Sequence, residues 1–178
     1  TSNVAVMIGT SNVLPHATEG CFFENNVALG NLGNGKGGAV FLSRTNQWSI
    51  QYNNTYEGNT SEFGGGIYLE YTPSYISHSL FFGNRAIYSG GAIELENSSY
   101  FINQSIIDGN HAERGAGIIS NYSANVILTS TLVVSNFSNT NGGGVSMVEG
   151  FLYAYNSIFW NNYGANGTDE EAQASSYG

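Results

Sequence analysis

Tyr68, Glu70, Glu94 and Glu96 are the residues whose types and spacing lend themselves to chemistry. Glu70 and Glu96 stand 26 positions apart, as do Tyr68 and Glu94, and that interval is close to the period of the whole chain. If the period stacks, three carboxylates and a phenol share one face. Hard oxygen ligands of this kind suit Ca²⁺. The same group suits a sugar, with the tyrosine as stacking platform. Two carboxyls about 5 Å apart would also match a retaining glycosidase. The plainest alternative is that the acids are solvated and keep a sheet face soluble.

Other reactive residue types are sparse. Cys21 is the single cysteine, so no intrachain disulfide forms, and with no basic neighbour it reads as a small hydrophobe. His16, His78 and His111 form no nucleophile or zinc constellation and read as surface or turn residues. No cofactor is implied beyond the calcium just considered. Asn-x-Ser/Thr sequons occur at Asn53, Asn59, Asn97, Asn103, Asn121, Asn136 and Asn166. Of these, Asn97, Asn121 and Asn166 fall in expected loops or the tail and are the better glycan acceptors.

The elements that position these residues are set by repetition. An apolar residue three before an Asn recurs as Phe22 to Asn25, Tyr56 to Asn59, Phe81 to Asn84, Ile107 to Asn110, Val133 to Asn136 and Phe159 to Asn162. A glycine-rich step into an aliphatic residue keeps the same phase, at Val40, Ile67, Ile93, Ile118 and Val145. A third apolar run lies between, from Trp48 to Ile50, at Tyr75 and Ile76, and from Tyr100 to Ile102, Val126 to Leu128 and Leu152 to Tyr155. Three short β-rich runs separated by Gly, Asn and Ser turns cannot bury a face alone, so each unit must stack on copies of itself. The expected fold is an all-β, right-handed parallel β-helix of about six coils of about 26 residues, rising about 4.8 Å per coil. It spans residues 1–163, with an irregular first coil expanded over about 26–48, and a polar acidic tail over 164–178.

Alternation along the strands sorts the side chains. The aliphatic residues after the glycines face inward, as do Phe22, Tyr56, Phe81, Ile107, Val133 and Phe159. A polar column of Asn54, Ser79, Ser105, Thr131 and Ser157 precedes the latter, facing inward if this parity holds and outward if it is inverted. Asn25, Asn59, Asn84, Asn110, Asn136 and Asn162 are expected to form an amide ladder. Leu80, Ile106, Leu132 and Ile158, with Phe82, Val134 and Trp160, then point outward and form a face for assembly.

Composition limits the function classes. Charged residues make up 10% of the chain and the net charge is −9, with Lys36, Arg44, Arg85 and Arg114 as the cations. Nucleic-acid binding needs phosphate neutralisation by basic residues and is excluded. No apolar run approaches the roughly 18 residues of a membrane helix. The start lacks the basic segment of a secretory signal, and the missing initiator Met suggests a processed or excised piece. Uncapped ends suggest that the chain continues into a partner or a longer protein.

The paired signatures, Phe81 to Asn84 and Gly90 to Ile93, resemble the repeats of the polymorphic outer-membrane protein family. They are also similar to the wider β-helix group with the pectin-lyase fold. The resemblance covers roughly residues 20–163, with departures at Tyr56, Ile107, Val133 and the interrupted Gly115-Ala116-Gly117. It implies adhesins, surface proteins or polysaccharide-active enzymes. The enzymes of that fold combine acidic calcium ligands with a basic residue, or several aspartates with His and Arg. Here the aspartates are Asp108 and Asp169, in unrelated places. The expectation is therefore a non-catalytic extracellular or cell-surface segment for adhesion or assembly, with itself or a neighbouring segment as protein partner. The alternative is a carbohydrate-binding or polysaccharide-active β-helix.

Overall fold

The computed structural model describes residues 6–8, 16–30, 35–45, 47–140, 142–165, 167–168 and 170–176. It is the expected parallel β-helix. The first sheet has seven strands, Val6–Ile8, Val40–Ser43, Ile67–Glu70, Ile93–Glu96, Ile118–Asn121, Val145–Met147 and Ala174–Ser176. The second runs from His16–Glu19 through Ser99–Asn103 to Leu152–Tyr155, and the third from Phe22–Glu24 through Ile106–Asp108 to Ile158–Trp160. Every pairing between coils is parallel. A fourth, shorter sheet follows the asparagine turn, with strands Val27–Ala28, Thr60–Phe63, Arg85–Ser89, His111–Ala112 and Phe137–Ser138. Five coils thus carry all four strands and a sixth carries the first three.

The coil closes because each corner has a residue with positive φ. Asn53, His78, Gln104, Ser130 and Asn156 turn the chain between the second and third sheets. Asn25, Gly58, Gly83, Gly109, Ser135 and Asn161 do so before the fourth. At the return to the first sheet only glycine fits. Gly90 has φ 65° and a Cβ there would lie 2.7 Å from the Glu94 Cβ.

The interior is a set of stacked columns. Ile67, Ile93 and Ile118 pair in register, as do Leu69, Leu95 and Ser120 two residues later. Phe23, Tyr56 and Phe81 stack face to face at 5.0 and 4.5 Å, followed by Ile107 and Val133. The polar column of Asn54, Ser79, Ser105 and Thr131 is buried, so the outward assignment of its neighbours stands. Ser105 and Ser157 hydroxyls accept from the Ser79 and Thr131 backbone N–H groups of the preceding coil.

The amide ladder forms, with one correction. Asn26, not Asn25, is its first member, and Phe23, not Phe22, lies in the aromatic column. Phe22 is 60% exposed and Asn25 takes the positive-φ turn position. Asn26 Nδ2 donates to Asn59 Oδ1 at 2.8 Å, and the pattern repeats through Asn84, Asn110, Asn136 and Asn162 at 2.9 to 3.0 Å. Each acceptor also receives the backbone N–H of the preceding asparagine. Each Nδ2 donates its second hydrogen to the preceding coil, as from Asn84 to the Tyr56 carbonyl at 2.8 Å.

The expected tail over 164–178 is also corrected in part. A short helix, Glu170–Gln173, leads into Ala174–Ser176, which pairs with Val145–Met147. Gln173 ends the ladder: its Oε1 accepts from Asn162 Nδ2 at 3.0 Å and its Nε2 donates to the Asn162 carbonyl at 3.1 Å. Asp169 lies outside the described residues.

Asn110→Ala removes one ladder amide and strands partners on both sides. It is expected to cost about 4 kcal/mol in urea denaturation, whereas Asn139→Ala on the exposed surface should stay within about 0.5 kcal/mol.

Candidate functional site

The register places the four chemically interesting residues together as expected. Tyr68 pairs with Glu94, and Glu70 with Glu96, on neighbouring strands of the first sheet. Their side chains alternate with the inward Ile67, Leu69, Ile93 and Leu95, and so point away from the coil interior. They are not, however, on an open flat face. Tyr68 and Glu94 are each 2% exposed, which overturns the solvated-acid reading for Glu94. The cause is the fourth strand. Thr60–Phe63 and Arg85–Ser89 end beside the glycine corner, and the missing Cβ atoms of Gly64 and Gly90 let that ledge close over the tyrosine and the glutamate. Ledge and sheet bound a groove of about 350 Å³.

Polar contacts inside the groove are specific. Ser89 donates its hydroxyl to Glu94 Oε2 at 2.8 Å, and Asn121 Nδ2 donates to Glu94 Oε1 at 3.0 Å. Lys36 Nζ lies 3.2 Å from Glu70 Oε2 and 4.3 Å from the centre of the Tyr68 ring. Arg44 Nε is 3.9 Å from the other Glu70 oxygen. Burial pushes the Glu94 carboxyl up to about 7, aided by the charge of Glu96 and opposed by Ser89, Lys36 and Arg114. The Tyr68 phenol is held well above its ordinary range by burial, by its hydrogen bond with Glu96 and by the nearby carboxylates. Calcium is not what this geometry favours. Glu70 is engaged by two cations, both Glu94 oxygens already accept hydrogen bonds from Ser89 and Asn121, and among the described residues no three His, Cys, Asp or Glu side chains converge as metal ligands.

Sequence reasoning missed the groove's walls. Lys36, Arg114, Asn121 and Tyr122 were separate features of composition or sequons, and the ledge that assembles them comes from short, irregular strands. Asn121 is engaged by Glu94 rather than free as a glycan acceptor. Asn97 is half-buried at a positive-φ turn, and Asn166 lies outside the described residues.

The outward apolar rows stand where expected. Leu80, Ile106, Leu132 and Ile158 pair in one row, and Phe82, Val134 and Trp160 lie in the next. Ile158 is 60% and Trp160 72% exposed. A second row went unread: Ile50, Tyr75, Phe101, Ile127 and Tyr153 pair along the outside of the second sheet. His111 stacks on Phe137 at 5.2 Å, and burial and Arg85 lower its pKa against the opposing charge of Glu113. His78 accepts or shares a hydrogen bond with Ser77 at 2.7 Å.

A scan against protein-family models, a search of curated proteins and a search of solved structures each found no match to this chain.

The Glu94 carboxyl has a testable consequence for stability. Its folded pKa of about 7 lies above the ordinary 4.5, so the folded state keeps a proton that the unfolded state loses between those values. Stability therefore falls as pH rises from about 4.5 to 7, by about 3 kcal/mol from this group, and is flat in this respect above 7. Denaturation of the wild type and Glu94→Gln at pH 5 and pH 8 isolates it: the variant gains relative to the wild type at pH 8.

Proposed function

We propose that the chain is a non-catalytic structural or adhesive β-helix of the cell exterior that works by lateral assembly with a second copy of itself. The observation that carries this reading is the apolar face of the third sheet. Ile106, Ile158, Phe82 and Trp160 project from a regular lattice and are substantially exposed. Rows of this size on a soluble face usually serve contact with another macromolecule. A second copy is the favoured occupant because its rows repeat at the same spacing of about 4.8 Å, so two such faces interdigitate along their whole length. The first row carries no charge, and the second is interrupted by Asp108 between Phe82 and Val134 and ends in Glu57 and Glu24, so like-charge repulsion on close approach is confined to those positions. An exterior location agrees with a surface of Asn, Ser, Thr and Gly. Kinship with the polymorphic outer-membrane repeats belongs to the same proposal and rests on the paired signatures.

Sedimentation velocity tests the assembly. The wild type is expected to self-associate at micromolar concentration, and the Ile106→Lys, Trp160→Lys double variant to remain a monomer with an unchanged melting temperature. A wild type that stays monodisperse and monomeric at high concentration overturns the proposal.

A further inference from the structure

The groove over the first sheet is separate from the apolar rows, and its lining is unlike theirs. We infer that it is a binding site for a neutral saccharide unit, held by Glu96, Arg114 and Asn121 over a floor fixed by the buried Glu94, with Tyr122 as a stacking wall. The volume of about 350 Å³ falls in the range of small-molecule sites and suits one or two sugar rings. The donors and acceptors are of both kinds. Glu96 offers carboxyl oxygens to hydroxyl donors, Arg114 offers N–H groups to hydroxyl and ring oxygens, and the Asn121 amide, which gives one hydrogen to Glu94, keeps a second. Tyr122, 60% exposed, and Phe63 also line the groove and supply aromatic surface for the apolar side of a pyranose.

Charge decides the ligand class. Glu70 is neutralised in place by Lys36 and Arg44. With Glu94 buried, what remains to meet a ligand is the Glu96 carboxylate against the Arg114 guanidinium, one charge of each sign. An acidic sugar would bring a carboxylate against Glu96, and a bare cation would meet Arg114. A neutral polyol meets neither penalty and uses every polar group present. The contacts among Ser89, Glu94 and Asn121 hold the floor in position before any ligand arrives, which lowers the ordering cost of binding.

The test uses the whole chain against immobilised neutral oligosaccharides of glucose, mannose, galactose and xylose, with oligogalacturonate as the acidic counterpart. At least one neutral oligosaccharide is expected to bind, and Glu96→Gln or Tyr122→Ala to weaken it at least tenfold without changing the melting temperature. Arg114→Ala should do the same. Three results overturn the inference: no retention of any neutral oligosaccharide at millimolar concentration, preferential retention of oligogalacturonate, or binding that survives all three substitutions. Because none of these residues lies in the apolar rows, loss of sugar binding should leave self-association unchanged.

Discussion

A buried primary amide has four hydrogen-bond obligations, and in this chain they can be met only by other coils. Each asparagine from Asn59 to Asn136 accepts twice from one neighbouring coil and donates to both neighbours. In a medium without water, an amide one residue out of register would leave several groups unpaired at about 1–3 kcal/mol each. The ladder therefore fixes the coil-to-coil register at one corner, and the parallel strands carry that register around the rest of the turn. Gln173 shows the same requirement from the other side. Beyond Asn162 a side chain of similar chemistry, carried by a four-residue helix, takes the place of the next asparagine.

Once the register is set, alternation does the remaining sorting. A strand with Ile93 and Leu95 inside must place Glu94 and Glu96 outside, and the same holds one coil away for Tyr68 and Glu70. Outside is not the same as solvated, however. The glycine corner lacks the Cβ atoms that would hold the fourth strand away, so the ledge closes on the first outward column and leaves the second at the groove mouth. Glu94 ends buried and Glu96 half-exposed, two residues apart on one strand. The Glu94 carboxyl thereby has its proton affinity raised by burial, through a feature of backbone packing on a different sheet.

How much of this was readable follows from the same logic. Columns were legible because stacking imposes one residue class on positions 26 apart, as with Ile67 and Ile93 or Asn84 and Asn110. The first coil misled because Phe22-Phe23 and Asn25-Asn26 are tandem pairs, and a pattern that tolerates either member cannot choose between them. The choice is made by which amide reaches Asn59. The outward row from Ile50 to Tyr153 escaped because Ser99–Asn103, Asn125–Thr129 and Leu152–Tyr155 are apolar on both sides while Ser49–Tyr52 turns Ser49 and Gln51 inward, so alternation marks no common face. The ledge escaped for the opposite reason. Thr60–Phe63 and Arg85–Ser89 share little besides a small inward residue, Ser61 or Ala86, and their register shifts between Ala86 and Ser89.

The two surfaces of interest are thus products of opposite circumstances within one repeat. Where the third sheet meets solvent, none of the described residues folds back over Ile158 and Trp160, and the regular rise of the coils turns ordinary strand residues into long apolar rows. Where the first sheet would meet solvent, the returning ledge interrupts the regularity and gathers Lys36, Arg114, Asn121 and Tyr122 from different coils around one buried acid. Repetition favours extended contact with another repeating object, because every coil contributes the same small increment. Departure from repetition favours a compact ligand, because the groups that meet it occur once. Phe41, Tyr68, Glu94, Ile119 and Ser146 occupy one column yet share no residue class. That divergence, in a chain whose interior columns are nearly uniform, is what a site looks like in a solenoid: the place where stacking no longer dictates the side chain.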